Sequence, residues 1–195
     1  MAQLQMGTYY YTPEEYLALE DAAEYKSEYV RGQIFPRSGE NLTHNEIMGN
    51  ILTCFHLAFK TSDCDVYGSQ VKVFVSANDA FLYPDVMVLC GQPEFFKERR
   101  DTICNPILVV EVLSESIRDY NGYNQFELYR GVEILQDYLL VDQHQIQVQH
   151  YHKLEENRWL LTIFTQLESV IDLPSVDITL PLSEIYHKVK FPNAE

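Results

Sequence analysis

Two apolar runs each hold a single carboxylate: Asp85 in FLYPDVMVLC and Glu111 in ILVVEVLS. Burying an ionised carboxylate in a β-branched run is costly unless cations or donors meet it. A third acid, Glu28, opens the stretch SEYVRGQI. Two carboxylates on neighbouring strands can chelate one hard divalent cation, and a third can bind it directly or through water. Magnesium suits this set because it prefers a few carboxylates together with waters and phosphate oxygens; manganese has similar ligand preferences. Such a cation activates water and neutralises charge at a phosphoryl centre. One reading of these residue types is therefore a metal-dependent site that hydrolyses phosphodiester bonds. Nuclease sites of this kind usually carry a lysine two residues after the glutamate, to orient or deprotonate the attacking water. Here that position is Leu113. The bland alternative has Asp85 capping a turn and Glu111 pairing with a buried Arg or Lys.

Other side chains are candidates for supporting roles. Lys26, Lys72 and Arg118 are the cations that could stand in for the absent lysine, each with a solvated surface charge as its alternative. Ser114 and Ser116 follow Glu111 closely and could line the site or cap a turn. His56, His150 and His152 have no partners at metal-ligand spacing and read as structural or exposed. No nucleophile elbow and no Gly-rich phosphate loop occurs, which sets aside serine-hydrolase and ATPase chemistry.

Several elements must position these residues. TPEEYLALEDA predicts a helix with Thr12 as N-cap, Pro13 at its first position and Glu15 completing a capping box. EYVRGQIF predicts a strand, a tight turn at Arg31-Gly32 and a second strand. THNEIMGNILTCFHLAFK predicts the longest helix, with Thr43 and Glu46 as a second capping box and Ile47, Ile51 and Phe55 on one face. DVYGSQVKVFVS reads as one alternating strand, YPDVMVLC as a strand entered through Pro84, and GQPEFFKERRDTICNP as a loop with one helical turn. ILVVEVLS is apolar on both faces and predicts a central strand covered on each side. NQFELYR is a helix ending near Gly131. DYLLVD, IQVQHYHK and RWLLTIF form a strand meander, and PLSEIYHKV a short last helix. This order predicts an α/β fold with a mixed sheet.

Composition bounds the rest. The chain of 195 residues suits one domain spanning 1–195, and 46% hydrophobic with 13% aromatic content marks it as globular. No apolar run approaches the roughly 20 residues of a membrane span, and the N-terminus lacks signal-peptide character. A cytoplasmic protein without a membrane partner is expected. The four cysteines form no C-x-x-C pair and are expected to be reduced thiols. The net charge of -15 opposes nonspecific binding to polyanions. If nucleic acid is the partner, a metal or a local patch must offset that field. The densest basic spot is KERR, and Arg31 with Arg37 is a thinner one.

Taken in order, YTPEEYLALED, SEYVRGQI, THNEIMGNI, YPDVMV, NPILVVEVLSESI, QFELYRGVEILQDYLLVD and LPLSEIY resemble the Uma-two family of restriction-endonuclease-like proteins. That family lies in the PD-(D/E)XK nuclease superfamily, and the resemblance runs over nearly the whole chain. It implies a restriction-endonuclease-like mixed central sheet flanked by helices, followed by the C-terminal antiparallel meander. It implies an endonuclease acting on DNA, with a magnesium site built from Glu28, Asp85 and Glu111 and the carbonyl of Val112 as a further ligand. Homodimers are common in the superfamily. His44 matches a recurrent family histidine and would contact substrate or cap its helix. The resemblance also relocates the missing lysine to the helix that follows, in a segment like RGEKFELY. Here the matching residue is Gln125, which can hydrogen-bond a water but carries no charge and cannot serve as a base. Tyr129 shares its helical face and either borders the site or, as the commoner role, packs as a core tyrosine. A second class of function therefore stands beside the enzyme: a nuclease-fold protein with impaired catalysis that serves as a binding or regulatory module.

Overall fold

The computed structural model describes residues 9–37, 41–113 and 124–191. Its centre is a mixed sheet of six strands in the order β12-β11-β10-β9-β6-β3. β3 (Cys64–Gly68), β6 (Val86–Cys90) and β9 (Leu108–Leu113) pair antiparallel, β9 runs parallel to β10 (Asp137–Asp142), and β11 (Val148–Glu155) and β12 (Arg158–Phe164) complete the meander. β9 is central and buried on both faces, as its apolar pattern requires.

A second six-stranded sheet, beyond the single mixed sheet that the sequence predicts, has the order β2-β1-β5-β4-β8-β7. β1 (Ser27–Val30) and β2 (Gln33–Pro36) form the expected hairpin, with Arg31 at φ 48° and Gly32 at φ 88°. Positive φ at both central residues is the two-residue turn that matches strand twist, and glycine takes it without strain. The stretch read as one strand over DVYGSQVKVFVS is divided. β3 joins the central sheet, while β4 (Lys72–Val75) joins the second sheet beside β5 (Ala80–Leu82). The loop expected at GQPEFFKERR is a hairpin of β7 (Phe95–Phe96) and β8 (Arg99–Ile103), with Lys97 at φ 54° in the turn.

These sheets stack in layers. α2 (Leu42–Ala58) buries Ile47, Ile51 and Phe55 against Val86, Val110 and Leu139 on one face of the central sheet. Its N-cap is Asn41, whose side chain accepts from the His44 N–H, and not Thr43. The same face is covered by the hairpin of β13 (Val170–Leu173) and β14 (Ile178–Pro181) and by α4 (Leu182–Ile185). On the opposite face, Met87, Val109 and Tyr138 meet Val30, Val73 and Leu82 of the second sheet and Phe126 and Leu128 of α3 (Gln125–Tyr129). α1 (Pro13–Ala22) covers the outer side of the second sheet through Tyr16 and Leu17, with its Thr12/Glu15 capping box formed.

The four cysteines are not all free. Cys64 and Cys90 are registered partners across β3 and β6 and are joined in a disulfide, whereas Cys54 and Cys104 are free thiols. Sequence spacing gave no hint of this pair, because 26 residues and a second-sheet excursion separate them.

A five-residue helix such as α3 cannot hold itself together. Asn78 helps to hold it, donating from Nδ2 to the carbonyl oxygens of Glu127 (3.2 Å) and Leu128 (2.8 Å). A Cβ on Gly131 would lie 2.5 Å from that same Nδ2 and 2.9 Å from Val75 Cγ1. Gly131→Ala should therefore destabilise the protein by about 1–3 kcal/mol, read by thermal or urea unfolding. An unchanged midpoint would show that Asn78 and Val75 yield to the added methyl at no cost.

Candidate active site

The chain passes from the second sheet to the central one through residues 83–85, and this crossing assembles the carboxylates. Glu28 stands in β1, beside β5, and its Oε1 accepts from the Tyr83 N–H at 2.7 Å. Asp85 follows two residues later. Its Oδ2 accepts from the Val112 N–H at 2.8 Å and meets His44 Nε2 at 3.1 Å, while Oδ1 accepts from Arg37 Nη2 at 2.9 Å. The β6–β9 ladder ends at Val86–Val110, so Asp85 takes the place of a ladder partner for Val112. In a strand, the N–H and C=O of one residue point the same way. The Val112 carbonyl thus faces the Asp85 side of β9.

Glu111 lies one residue earlier on β9, fully buried. Its Oε1 accepts from the Tyr129 hydroxyl at 2.7 Å, and its Oε2 has no hydrogen-bond partner among the described residues. Gln125 begins α3 one turn before Tyr129, on the same helical face. It is buried, and its Oε1 is likewise without a partner among the described residues.

Electrostatics separate the two buried acids on the central sheet. Burial works against the charge on Asp85, but the hydrogen bond and charge of His44, then Arg37 and the Val112 N–H, hold its carboxyl below the ordinary range. Burial, and then the charge of Asp85, push the Glu111 carboxyl well above it, with Glu28 adding to the rise and Arg37 opposing it. The Tyr129 phenol is raised as well, first by burial and then by Glu111. Neighbouring carboxyls driven apart in this way are a recurring feature of functional centres.

Among the described residues, Arg37 brings a guanidinium into this cluster. It reaches Asp85 directly, approaches Glu28 Oε1 to 3.9 Å and donates from Nη1 to the Tyr83 carbonyl. The sequence signal for it existed. A two-residue turn at Arg31-Gly32 sets Glu28 opposite Phe35, and the Arg37 N–H donates to the Lys26 carbonyl at 3.0 Å. Counting two residues further along the hairpin from Phe35 puts Arg37 diagonal to Glu28 on one face.

The cations weighed from sequence have other partners. Lys26 donates to the Ser69 carbonyl and stands 5.1 Å over the Tyr83 ring. Lys72 donates to Asp101 at 2.7 Å and to the Tyr83 hydroxyl at 3.2 Å. Arg118, Ser114 and Ser116 lie outside the described residues. The basic KERR spot is largely neutralised, since Lys97 pairs with Glu14, and Arg99 pairs with Asp21 and Asp101.

The donor set of Asp85, Glu111 and the Val112 carbonyl is all oxygen, as a hard divalent cation requires. Glu111 Oε2 and Gln125 Oε1 are among the buried polar atoms without a partner among the described residues, and each is an oxygen that could face a hard cation or its water. Glu28, Asp85 and Glu111 are more widely spaced than a closed ligand shell. The one group of His, Cys, Asp and Glu ligand atoms within 4.8 Å of each other, among the described residues, is Asp137 with His150 and His152. Those two histidines are therefore not the isolated residues expected from spacing. Two residues apart on β11, they share one face, a strand-period signal that a search for helical or zinc-finger spacing passes over.

Comparisons with known proteins agree with this architecture. The model of the Uma2 family, described as "Putative restriction endonuclease", matches residues 13–183. Two uncharacterised proteins of Synechocystis sp. are similar in sequence. The protein sll1609 is 34% identical over 151 residues, covering 77% of this chain and 85% of its own length. The protein slr1290 is 33% identical over 182 residues, covering 92% of this chain and 93% of its own. The crystal structure of a "putative nuclease" belonging to DUF820 from Anabaena variabilis superposes with a TM-score of 0.69. It is 17% identical, covering 90% of this chain and 97% of that one, a likeness of fold.

Proposed function

Because the chain belongs to the Uma2 family of restriction-endonuclease-like proteins, we propose that it is a divalent-metal-dependent nuclease that hydrolyses phosphodiester bonds in DNA. The observation that carries this reading is Glu111: a buried carboxylate with an oxygen lacking a partner among the described residues, on the strand whose next residue binds Asp85. A purely structural role gives little reason to keep such an acid in a central strand.

Asp85, Glu111 and the Val112 carbonyl would hold the cation, magnesium or manganese, with Glu28 reaching it through water. When bound, that cation supplies water activation and charge neutralisation at the phosphoryl group. The chain's own residues prepare the rest. His44 and Arg37 fix the Asp85 carboxylate, and Tyr129 fixes one oxygen of Glu111. Gln125 would orient the attacking water through its amide, without taking its proton. Among the described residues, Arg37 is a guanidinium that reaches Asp85, and its fork suits phosphate oxygens.

The test is cleavage of plasmid and single-stranded DNA with magnesium or manganese. Metal-dependent cleavage is expected, falling about 100-fold in Asp85→Asn, or ~3 kcal/mol in the barrier. Wild-type protein that cuts neither substrate with either metal would sink the enzyme reading. Two chains would serve the two strands of a duplex, and the edge strand β12, with exposed Leu160, Leu161 and Ile163, offers a surface for pairing. Sedimentation under cleaving conditions should then give the mass of two chains; a monomer would remove that part of the proposal.

One observation favours a second reading. The position that the family resemblance assigns to lysine carries neutral Gln125, and the chain carries a net charge of -15. Both suit a nuclease fold retained as a binding or regulatory module.

A further inference from the structure

On the far face of the central sheet a second constellation stands apart from the carboxylate site. Asp137 begins β10, directly opposite His152 of β11, and His150 lies two residues from His152 on the same strand face. Asp137 Oδ1 meets His150 Nε2 at 2.6 Å and His152 Nδ1 at 2.8 Å. Asp137 Oδ2 accepts from the hydroxyl of Ser175, in the turn between β13 and β14. Asp137 is fully buried, His150 nearly so, and the His152 side chain is 26% exposed.

This group is separate from the carboxylate site in two ways. Asp137 registers with Leu108, whereas Glu111 lies three residues further along β9, roughly 10 Å away. The odd step also reverses the face. Asp137 shares its side of β10 with Leu139 and Val141, which pack under α2, and Glu111 shares the other side with Tyr138.

From this juxtaposition of Asp137, His150, His152 and Ser175 we propose a site for a zinc-class divalent cation. Two imidazoles and one carboxylate are the mixed nitrogen and oxygen donors that such a metal prefers and that magnesium does not. The three ligand atoms already lie within 4.8 Å of one another. Metal–ligand distances of about 2 Å in a tetrahedron need ligand atoms roughly 3.3 Å apart, so only small side-chain shifts are required. The imidazole N–H groups that now face Asp137 give up that role, and each ring presents its lone pair to the cation. Ser175 keeps its bond to Asp137 Oδ2 and so orients the carboxylate from outside the ligand shell. Three protein ligands leave one tetrahedral position, and His152 marks the side on which solvent reaches it. A cation here ties β10 and β11 to the β13–β14 turn.

The test uses the full chain after treatment with EDTA, titrated calorimetrically with zinc chloride. One zinc per chain is expected, undisplaced by excess magnesium, and cobalt in its place should give the visible absorption of a tetrahedral ion. His152→Gln, at a partly exposed position that folding tolerates, should weaken zinc binding at least tenfold, and His152→Cys should restore it. Ser175→Ala should weaken it about tenfold. Glu111→Gln should leave zinc affinity unchanged. Absence of saturable binding at one zinc per chain would overturn the proposal. So would equal affinity in wild type, His150→Gln and His152→Gln.

Discussion

Glu111→Gln should eliminate metal-dependent cleavage and, without metal, make the protein more stable than wild type at neutral pH. The first effect follows from the loss of a metal ligand, the second from the loss of a buried charge. Burial and the neighbouring Asp85 raise the Glu111 carboxyl well above its ordinary range in the folded state. A raised folded pKa means that the native state holds the proton more tightly than the unfolded chain. The stability from that proton is fully present below the unfolded value of about 4.3 and is lost as pH rises through the folded value. Glutamine keeps the shape, still accepts from Tyr129, and has no charge to bury. The stability difference between variant and wild type should therefore widen with pH above the ordinary carboxylate range. Its size is on the order of 1 kcal/mol or more, at about 2–4 °C per kcal/mol for a chain of this length. Magnesium should reverse the order. Ligand at 100 times its Kd stabilises wild type by about 2.7 kcal/mol, and the variant gains little. Melting curves with and without magnesium read both effects. An equal magnesium shift in the two proteins would show that Glu111 is not a ligand.

The parts of this site that could be read in the sequence are those set by local period. β9 announces itself as an apolar run, so Glu111 stands out as a buried charge. Asp85 stands out because Pro84 marks a strand entrance. The hairpin turn at Arg31-Gly32 is visible in the sequence, yet Arg37 reads there only as part of a thin basic spot with Arg31, because its partner Asp85 is 48 residues away. The helical spacing of Tyr129 from Gln125 allows it either to border the site or to pack in the core; its ring is packed, and its hydroxyl ends on Glu111 through a contact between a helix and a strand that no local pattern encodes. The second sheet was hidden for a similar reason. Its β4 strand continues the alternation of β3, and only the pairing partners show that the chain has changed sheets at Ser69 and Gln70. Non-local pairing also explains Asp137 and its two histidines, which face each other only once the meander is formed.

Gln125→Lys should raise metal-dependent cleavage roughly 100-fold, the scale of a positioned general acid or base. Gln125 is buried on the α3 face that also carries Tyr129, and Tyr129 reaches Glu111 Oε1. A lysine from the same turn would bring an ammonium toward Glu111 Oε2, the oxygen without a partner among the described residues. Such a charge-assisted bond would pull the Glu111 carboxyl back toward its ordinary range and favour the ionised form that a cation needs. The same ammonium could polarise the attacking water, which the neutral amide cannot do. Gln125→Met keeps the length and removes both hydrogen-bonding and charge, so it should lie at or below wild type. The pattern across the three proteins separates the two functional readings. Cleavage by wild type that lysine improves and methionine reduces means that Gln125 orients the water in a working enzyme. Silence in wild type and methionine, with cleavage appearing only in the lysine variant, means that the metal ligands survive in a fold that has given up catalysis through this one position. No gain from lysine in a folded variant that binds magnesium would place the attacking water away from α3, and the role assigned to Gln125 would fall.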